Sequence, residues 1–126
     1  MIQLSKRLNA VAELLVHGID QLELEQPVLA DIGTDHAYLP VYLVQKKVVK
    51  KAYAADVRKG PLLHAKEHIE QYGLGEYIQT RLSDGGESFV PGESEVAVIA
   101  GMGGGLMQKI LSGSPEFFEK NSCVVL

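Results

Sequence analysis

The chain has 126 residues, of which 46% are hydrophobic and 22% charged, with a formal net charge of −4, a single cysteine and no tryptophan. That size is one ordinary domain or part of a larger one, and the near-average composition excludes disordered and low-complexity classes. Its apolar runs are too short to span a bilayer, and the opening MIQLSKRLNAVAELL lacks the features of a secretory leader. A lone Cys123 cannot form an internal disulfide, so the expectation is a cytoplasmic protein. Residues 1–60 carry eight Lys/Arg against seven Asp/Glu, whereas residues 61–126 carry four against nine. This acidic balance argues against broad electrostatic binding of nucleic acid by the segment alone. The basic group Lys46, Lys47, Lys50 and Lys51 reads as a solvated helix end and turn.

In chain order, residues 4–17 place Leu4, Leu8, Val11 and Leu15 at helical spacing, with Ser5 as a cap and Gly18 as the expected stop. VLADIG (28–33) reads as a short buried strand opening onto a glycine. HAYLPVYLVQKKVV follows as a helix with Pro40 in its first turns, where a missing N–H is tolerated. AYAADV (52–57) is a second strand ending on Asp56. Gly60-Pro61 then starts a helix running to about Tyr72, with Gly73 as its stop. IQTRLSDG (78–85) and EVAVIAG (95–101) read as the third and fourth strands, GGLMQKILSG as a short helix, and the closing CVVL as the start of a fifth strand. Strands alternating with helices of this length predict an α/β fold, with a mostly parallel sheet covered by helices on both faces. The chain stops inside a strand, so residues 1–126 are expected to be the first part of a longer domain.

Ligands of open α/β sheets bind beyond the carboxyl ends of the strands, near the point where strand order reverses. The unusual clusters of this sequence all fall at such ends: Asp31-Ile32-Gly33-Thr34-Asp35-His36, Asp56-Val57, Asp84-Gly85-Gly86 and Gly101-Met102-Gly103-Gly104-Gly105. Glycine serves where backbone bends tightly or approaches a ligand, and a carboxylate serves where a ribose diol or an amine is held. Asp56 follows Asp31 by a step close to the ~20 residues that separate a glycine turn from a ribose-binding acid in dinucleotide folds. The alternative for Asp56 is a helix cap, and for Asp84 an ordinary turn aspartate. The first turn is not G-x-G-x-x-G, and the carboxylate of Asp35 would repel a pyrophosphate, which disfavours a nicotinamide or flavin dinucleotide. A positively charged, phosphate-free cofactor suits three aspartates better, and S-adenosylmethionine answers that description.

His64-Ala65-Lys66-Glu67-His68 matches the H-x-x-E-H string of inverted zinc proteases, but no third ligand lies near it in sequence. The expected reading is a solvated helix face and no metal site. His36, in the first turn, either binds cofactor or substrate or caps the following helix. Cys123 reads as a small buried hydrophobe.

Taken together, LSKRL (4–8), ADIGTDHAYLP (30–40), AADVRKGPLLHA (54–65), YGLGEYIQTRLSDG (72–85) and VIAGMGG (98–104) resemble one family along essentially the whole chain. It is the bacterial tRNA adenine-N1-methyltransferase family that acts on a D-arm adenine, with a Rossmann-like class I methyltransferase fold. The resemblance implies that Asp31, Gly33 and Asp35, with Thr34 and His36, shape the pocket around the methionine end of S-adenosylmethionine. It implies Asp56 with Val57 for the ribose, Asp84 with Gly85 for the adenine, and Gly101, Met102, Gly103 and Gly104 as the floor between donor and target base. It also implies a tRNA substrate held mainly by further strands and a C-terminal helical extension that residues 1–126 do not include. N1 of adenine is nucleophilic without losing a proton, so no general base is required and catalysis rests on alignment, with Asp31, Gly101, Met102 and Gly103 as positioning candidates. Met102 or Tyr38 are candidates to stack on a base flipped out of the tRNA. The alternatives are an inactive fragment that retains partial cofactor or RNA binding and, less favoured, a nicotinamide-dependent oxidoreductase.

Overall fold

The computed structural model describes residues 2–126, and its elements run α1 (Lys6–Gln21), β1 (Val28–Ile32), α2 (Tyr38–Gln45), β2 (Lys51–Asp56), α3 (Lys59–Gln71), β3 (Ile78–Leu82), β4 (Val96–Ile99), α4 (Gly104–Gly113), α5 (Pro115–Glu119) and β5 (Cys123–Val125). All five strands are parallel, in the order β3-β2-β1-β4-β5. The chain winds from β1 out to β3 and then crosses back to lay β4 on the other side of β1. The order therefore reverses between β1 and β4. Parallel neighbours need a crossover, which α2 and α3 supply on one wing and α4 with α5 on the other. No helix is long and apolar enough to cross a membrane.

The central strands β1, β2 and β4 are largely apolar because both faces are covered, whereas the edge strand β3 carries Gln79, Thr80 and Arg81, and successive residues feed two separate cores. Leu29, Ala52, Ala54, Val96 and Val98 face one core with Leu15 and Ile19 of α1, Leu43 of α2, and Ala65 and Ile69 of α3. Ala30, Ile32, Tyr53, Ala55, Ala97 and Ile99 face the other, with Phe89, Ile110 of α4, and Phe117 and Phe118 of α5. The second core is aromatic: Phe89 stacks on Phe117 at 4.9 Å between centroids, and Arg81 lies over Tyr53 and Phe89 while pairing with Glu93 at 2.7 Å.

The expected parallel sheet with helices on both faces is what forms, with four adjustments. The second helix spans only Tyr38–Gln45 of the expected HAYLPVYLVQKKVV, because Lys46 caps it and Lys47 turns the chain at φ +59°. Gly18 does not end α1, which continues to Gln21; a Cβ at residue 18 would stand 2.9 Å from Sγ of Cys123, so this glycine lets α1 approach β5. The third strand ends at Leu82 rather than Asp84, because Ser83 begins a turn, its hydroxyl donating to the Gly85 carbonyl at 2.7 Å and accepting from the Ser88 N–H at 3.1 Å. The helix α5 was not expected, since five residues are too few to display a period; Pro115 starts it and Phe117 and Phe118 bury it. Elsewhere the local signals hold. The Ser5 hydroxyl accepts the Leu8 N–H at 3.2 Å, and Gly73, at φ +69°, terminates α3. Lys46, Lys47 and Lys50 occupy the turn between α2 and β2, at the amino-end rim of the sheet.

Candidate functional site

The parallel register brings the carboxyl ends of the strands level. Ile32 lies beside Ala55 and Ile99, and Asp56 beside Leu82. Beyond these ends opens a cleft of about 380 Å³ that contains Gly33, Asp35, Asp56, Val57, Asp84, Gly85, Gly101 and Met102. Residues from four loops, separated by up to 69 positions between Gly33 and Met102, thus share one rim because the strands before them are paired.

The turn after β1 is tightly specified. The N–H groups of Gly33 and Thr34 both donate to the Ala55 carbonyl, at 2.9 and 2.8 Å, which ties the end of β1 to the end of β2. Gly33, Asp35 and Ala37 all adopt positive φ, at +77°, +59° and +62°. Glycine takes this conformation freely and aspartate tolerates it, whereas Ala37 pays about 1 kcal/mol. The side chain of Met102 occupies the space that a Cβ at Gly33 would claim, so the absence of a side chain at residue 33 lets the Met102 methyl pack over the β1 turn.

Asp31 is fully enclosed, and the Thr34 hydroxyl donates to its carboxylate at 2.8 Å. Burial raises its pKa from 3.8 to about 7; the Thr34 hydrogen bond opposes this and the charge of Asp56 adds to it. Asp31 does not line the large cleft. It faces a neighbouring cavity of about 60 Å³ shared with Arg7, Gly33, Thr34, Asp35, Tyr38 and Ala100. Asp56, buried at the tip of β2, accepts the Asp35 N–H at 3.2 Å through one oxygen and the Arg58 N–H at 3.1 Å through the other. It therefore organises two turns while presenting its remaining lone pairs to the cleft. Asp84 is exposed on the rim, and Gly85 packs so closely on Ile110 that a Cβ there would come within 2.9 Å of its Cγ2.

Three expected site residues stand elsewhere. Gly103 caps α4 and Gly104 begins it, both in open space and lining neither cavity. The ring of His36 turns toward α3 instead of into the cleft. His36, Tyr38, His64 and His68 pack with ring centroids 5.1 to 5.6 Å apart, and the His68 imidazole hydrogen-bonds the His36 carbonyl at 3.0 Å. His68 is thus half-buried and anchors the β1 loop, so the solvated-face reading of the helix holds for His64 but not for His68. The sequence separation between His36 and α3 hid this contact. Among the described residues, no group of His, Cys, Asp and Glu is arranged to hold a metal ion.

The structure also adds residues that motif reading passed over. Ser83, Leu106 and Ile110 complete the cleft wall, and Arg7 of α1 lines both the cleft and the smaller cavity. Arg7 was legible only as part of LSKRL, since nothing local says that α1 lies across the strand ends.

Residues 4–126 match the methyltransferase domain family. The chain is 42% identical over 115 residues to the tRNA (adenine(22)-N(1))-methyltransferase of Bacillus subtilis, covering 91% of this chain and 45% of that one. The crystal structure of the B. subtilis m1A22 tRNA methyltransferase superposes with a TM-score of 0.81 at 40% identity, over 96% of this chain and 47% of the other. A Streptococcus pneumoniae protein described as a putative tRNA (m1A22) methyltransferase, solved with S-adenosyl-L-methionine, superposes with a TM-score of 0.82 at 36% identity, over 94% and 52%. The chain spans about half the length of the relatives it matches. By sequence, by fold and by the loops gathered on one rim, it belongs to the methyltransferase domain family.

Proposed function

We propose that the cleft binds S-adenosylmethionine and that the chain supplies the donor site for methylation of tRNA at N1 of the D-arm adenine 22. One observation carries the reading: Asp35, Asp56 and Asp84 line a single cleft across the ends of three adjacent strands, with no glycine cradle for a phosphate. A dinucleotide would bring its pyrophosphate against these carboxylates, whereas a sulfonium, an ammonium, a ribose diol and an adenine amine all favour them. The bound S-adenosyl-L-methionine in the S. pneumoniae relative supports the same choice.

The residues fit the donor in strand order. Asp84 and Gly85 would hold the adenine, with Val57 and Ile110 as apolar walls. Asp56 would accept from the ribose hydroxyls, and Asp31 and Asp35 would face the methionine ammonium. When bound, S-adenosylmethionine supplies a methyl group already activated by a positively charged sulfur. The chain's own contribution is placement. The lining of the cleft contains no histidine, lysine or cysteine, and N1 of adenine attacks through an in-plane lone pair that needs no base. Met102 packs over the Gly33 turn, while the open Gly103–Gly105 backbone would leave room for a base to enter.

Isothermal titration of the chain with S-adenosylhomocysteine and, separately, with NAD tests the reading. Binding of the first and not the second is expected. Binding of NAD alone would overturn it in favour of a nicotinamide enzyme.

A further inference from the structure

Asp84 stands exposed on the rim of the cleft and takes part in none of the ion pairs among the described residues. Its place is therefore set by the backbone of the loop that carries it. That loop, residues 83–95, joins β3 to β4 and contains no helix or strand of its own. A segment of this length spreads over many conformations unless contacts tie it down.

One side chain supplies most of the tie. Arg81 of β3 lies over the ring of Tyr53 on β2 and the ring of Phe89 in the loop, 4.4 and 4.7 Å from their centroids. Its Nη1 donates to the Ser88 carbonyl at 3.2 Å and to the Glu93 carboxylate at 2.7 Å. The same Glu93 oxygen accepts the Val90 N–H at 3.0 Å. The Arg81 and Glu93 side chains are only 18% and 20% exposed, so water and salt screen their attraction less than at an open surface. Their hydrogen bond holds the Glu93 carboxyl below its ordinary range and pushes the Arg81 guanidinium up. From Ser88 the contacts run on to the cleft. Its N–H donates to the Ser83 hydroxyl at 3.1 Å, and that hydroxyl donates to the Gly85 carbonyl at 2.7 Å. On its other side the turn is pressed against α4 and α5, where a Cβ on Gly85 or Gly86 would come within 2.9 Å of Ile110 or Phe117. Arg81 itself does not line the cleft.

From this arrangement we infer that Arg81, paired with Glu93, is a positioning residue for the nucleobase end of the cleft: through Ser88 and Ser83 it fixes the Asp84-Gly85 turn so that the Asp84 carboxylate meets the exocyclic amine of the base. The inference rests on the proposed S-adenosylmethionine reading and adds a selectivity device to it. A carboxylate accepts a hydrogen bond from the amine of adenine and repels the carbonyl oxygen that replaces it in hypoxanthine. A loosened turn lets Asp84 swing toward water, which removes the attraction and the repulsion together. Arg81 touches neither substrate and acts only through the turn.

The test compares two ligands by titration calorimetry. S-adenosylhomocysteine carries the amine, and S-inosylhomocysteine is the same molecule with a carbonyl oxygen in its place. The unaltered chain is expected to favour the first by at least about tenfold. Arg81→Met is expected to shrink that ratio by about fivefold, Glu93→Gln by about twofold, and Arg81→Lys, which keeps the charge but not the fork, by an intermediate factor. Asp84→Ala should bring the ratio close to one, and adding Arg81→Met to it should change the ratio no further. A purely structural role would weaken both ligands by one factor and leave the ratio alone. Far-ultraviolet circular dichroism checks folding, and Glu93→Gln decides if Arg81→Met is unfolded. An unchanged ratio in the folded variants overturns the role of Arg81 and leaves the donor-site reading intact. Absence of selectivity in the unaltered chain overturns the Asp84 contact and the role of Arg81 with it. Failure of the unaltered chain to bind either ligand overturns the donor-site reading itself, and this assignment with it.

Discussion

The two loops that meet over the cleft are built in opposite ways. The β1–β2 rim, residues 31–37 and 56–58, is held by buried carboxylates, shared carbonyls and three residues at positive φ. The β4 rim, residues 101–105, has Met102 as its one anchored side chain, and a Cβ at Gly103, Gly104 or Gly105 would meet nothing within 4 Å. One side is preorganised for a small ligand of fixed shape, at a cost in backbone strain. The other leaves backbone bare and open. Under the proposed function the contrast would give rigidity toward the donor and access toward the acceptor.

The largest effect should come from removing the residue that ties the rigid side together. Asp56→Ala frees both the Asp35 and the Arg58 N–H and removes the proposed ribose acceptor, so donor binding should fall by about 100-fold or more. His68→Ala, which loses one contact to the back of the same loop, should cost less than about threefold. Equal losses in calorimetry would mean that Asp56 is only a loop brace.

Asp31 makes the rigid side sensitive to pH. Its folded pKa of about 7 lies above its ordinary 3.8, so the protonated form is favoured on folding. That contribution is fully present below about pH 4 and disappears as pH rises through 7, so denaturant midpoints should fall across this window. Asp31→Asn should flatten the profile and exceed the wild type at pH 8 by about 2 kcal/mol. A cationic donor favours the ionised carboxylate, so binding by the wild type should tighten several-fold, roughly, from pH 6 to pH 8 and release protons, while Asp31→Asn binds weakly at both.

Gly33→Ala tests how the two rims interlock. It places a methyl group where Met102 sits and strains a positive-φ position, with an expected loss of about 1–2 kcal/mol in stability and about tenfold in donor affinity. The smallest effect should fall on the open side. Gly105→Ala, inside α4 with free space around it, should stabilise the chain by about 0.5–1 kcal/mol and leave donor binding unchanged. A loss of donor affinity there would erase the distinction between the rims.

Alternating strand and helix patterns were readable because both periods are local and strongly marked, as in VLADIG, AYAADV and EVAVIA. The strand-end position of Asp31, Asp35, Asp56, Asp84 and Gly101 was readable for the same reason, since a strand's last residue and the following glycine are neighbours in the chain. Other features were not. Nothing in PEFFE announces α5, and nothing near Gly18 says that it faces Cys123.

What the sequence determined by itself is therefore the set of elements and the row of acidic and glycine corners, because these depend on hydrogen bonding and burial over a few residues. Tertiary structure alone decided that Asp31 faces the smaller cavity beside the cleft, that His36 turns away to meet His68, and that Arg7 reaches across to the β4 loop. Each of those depends on which faces of distant segments come together, and only the packing of helices against a paired sheet sets that geometry.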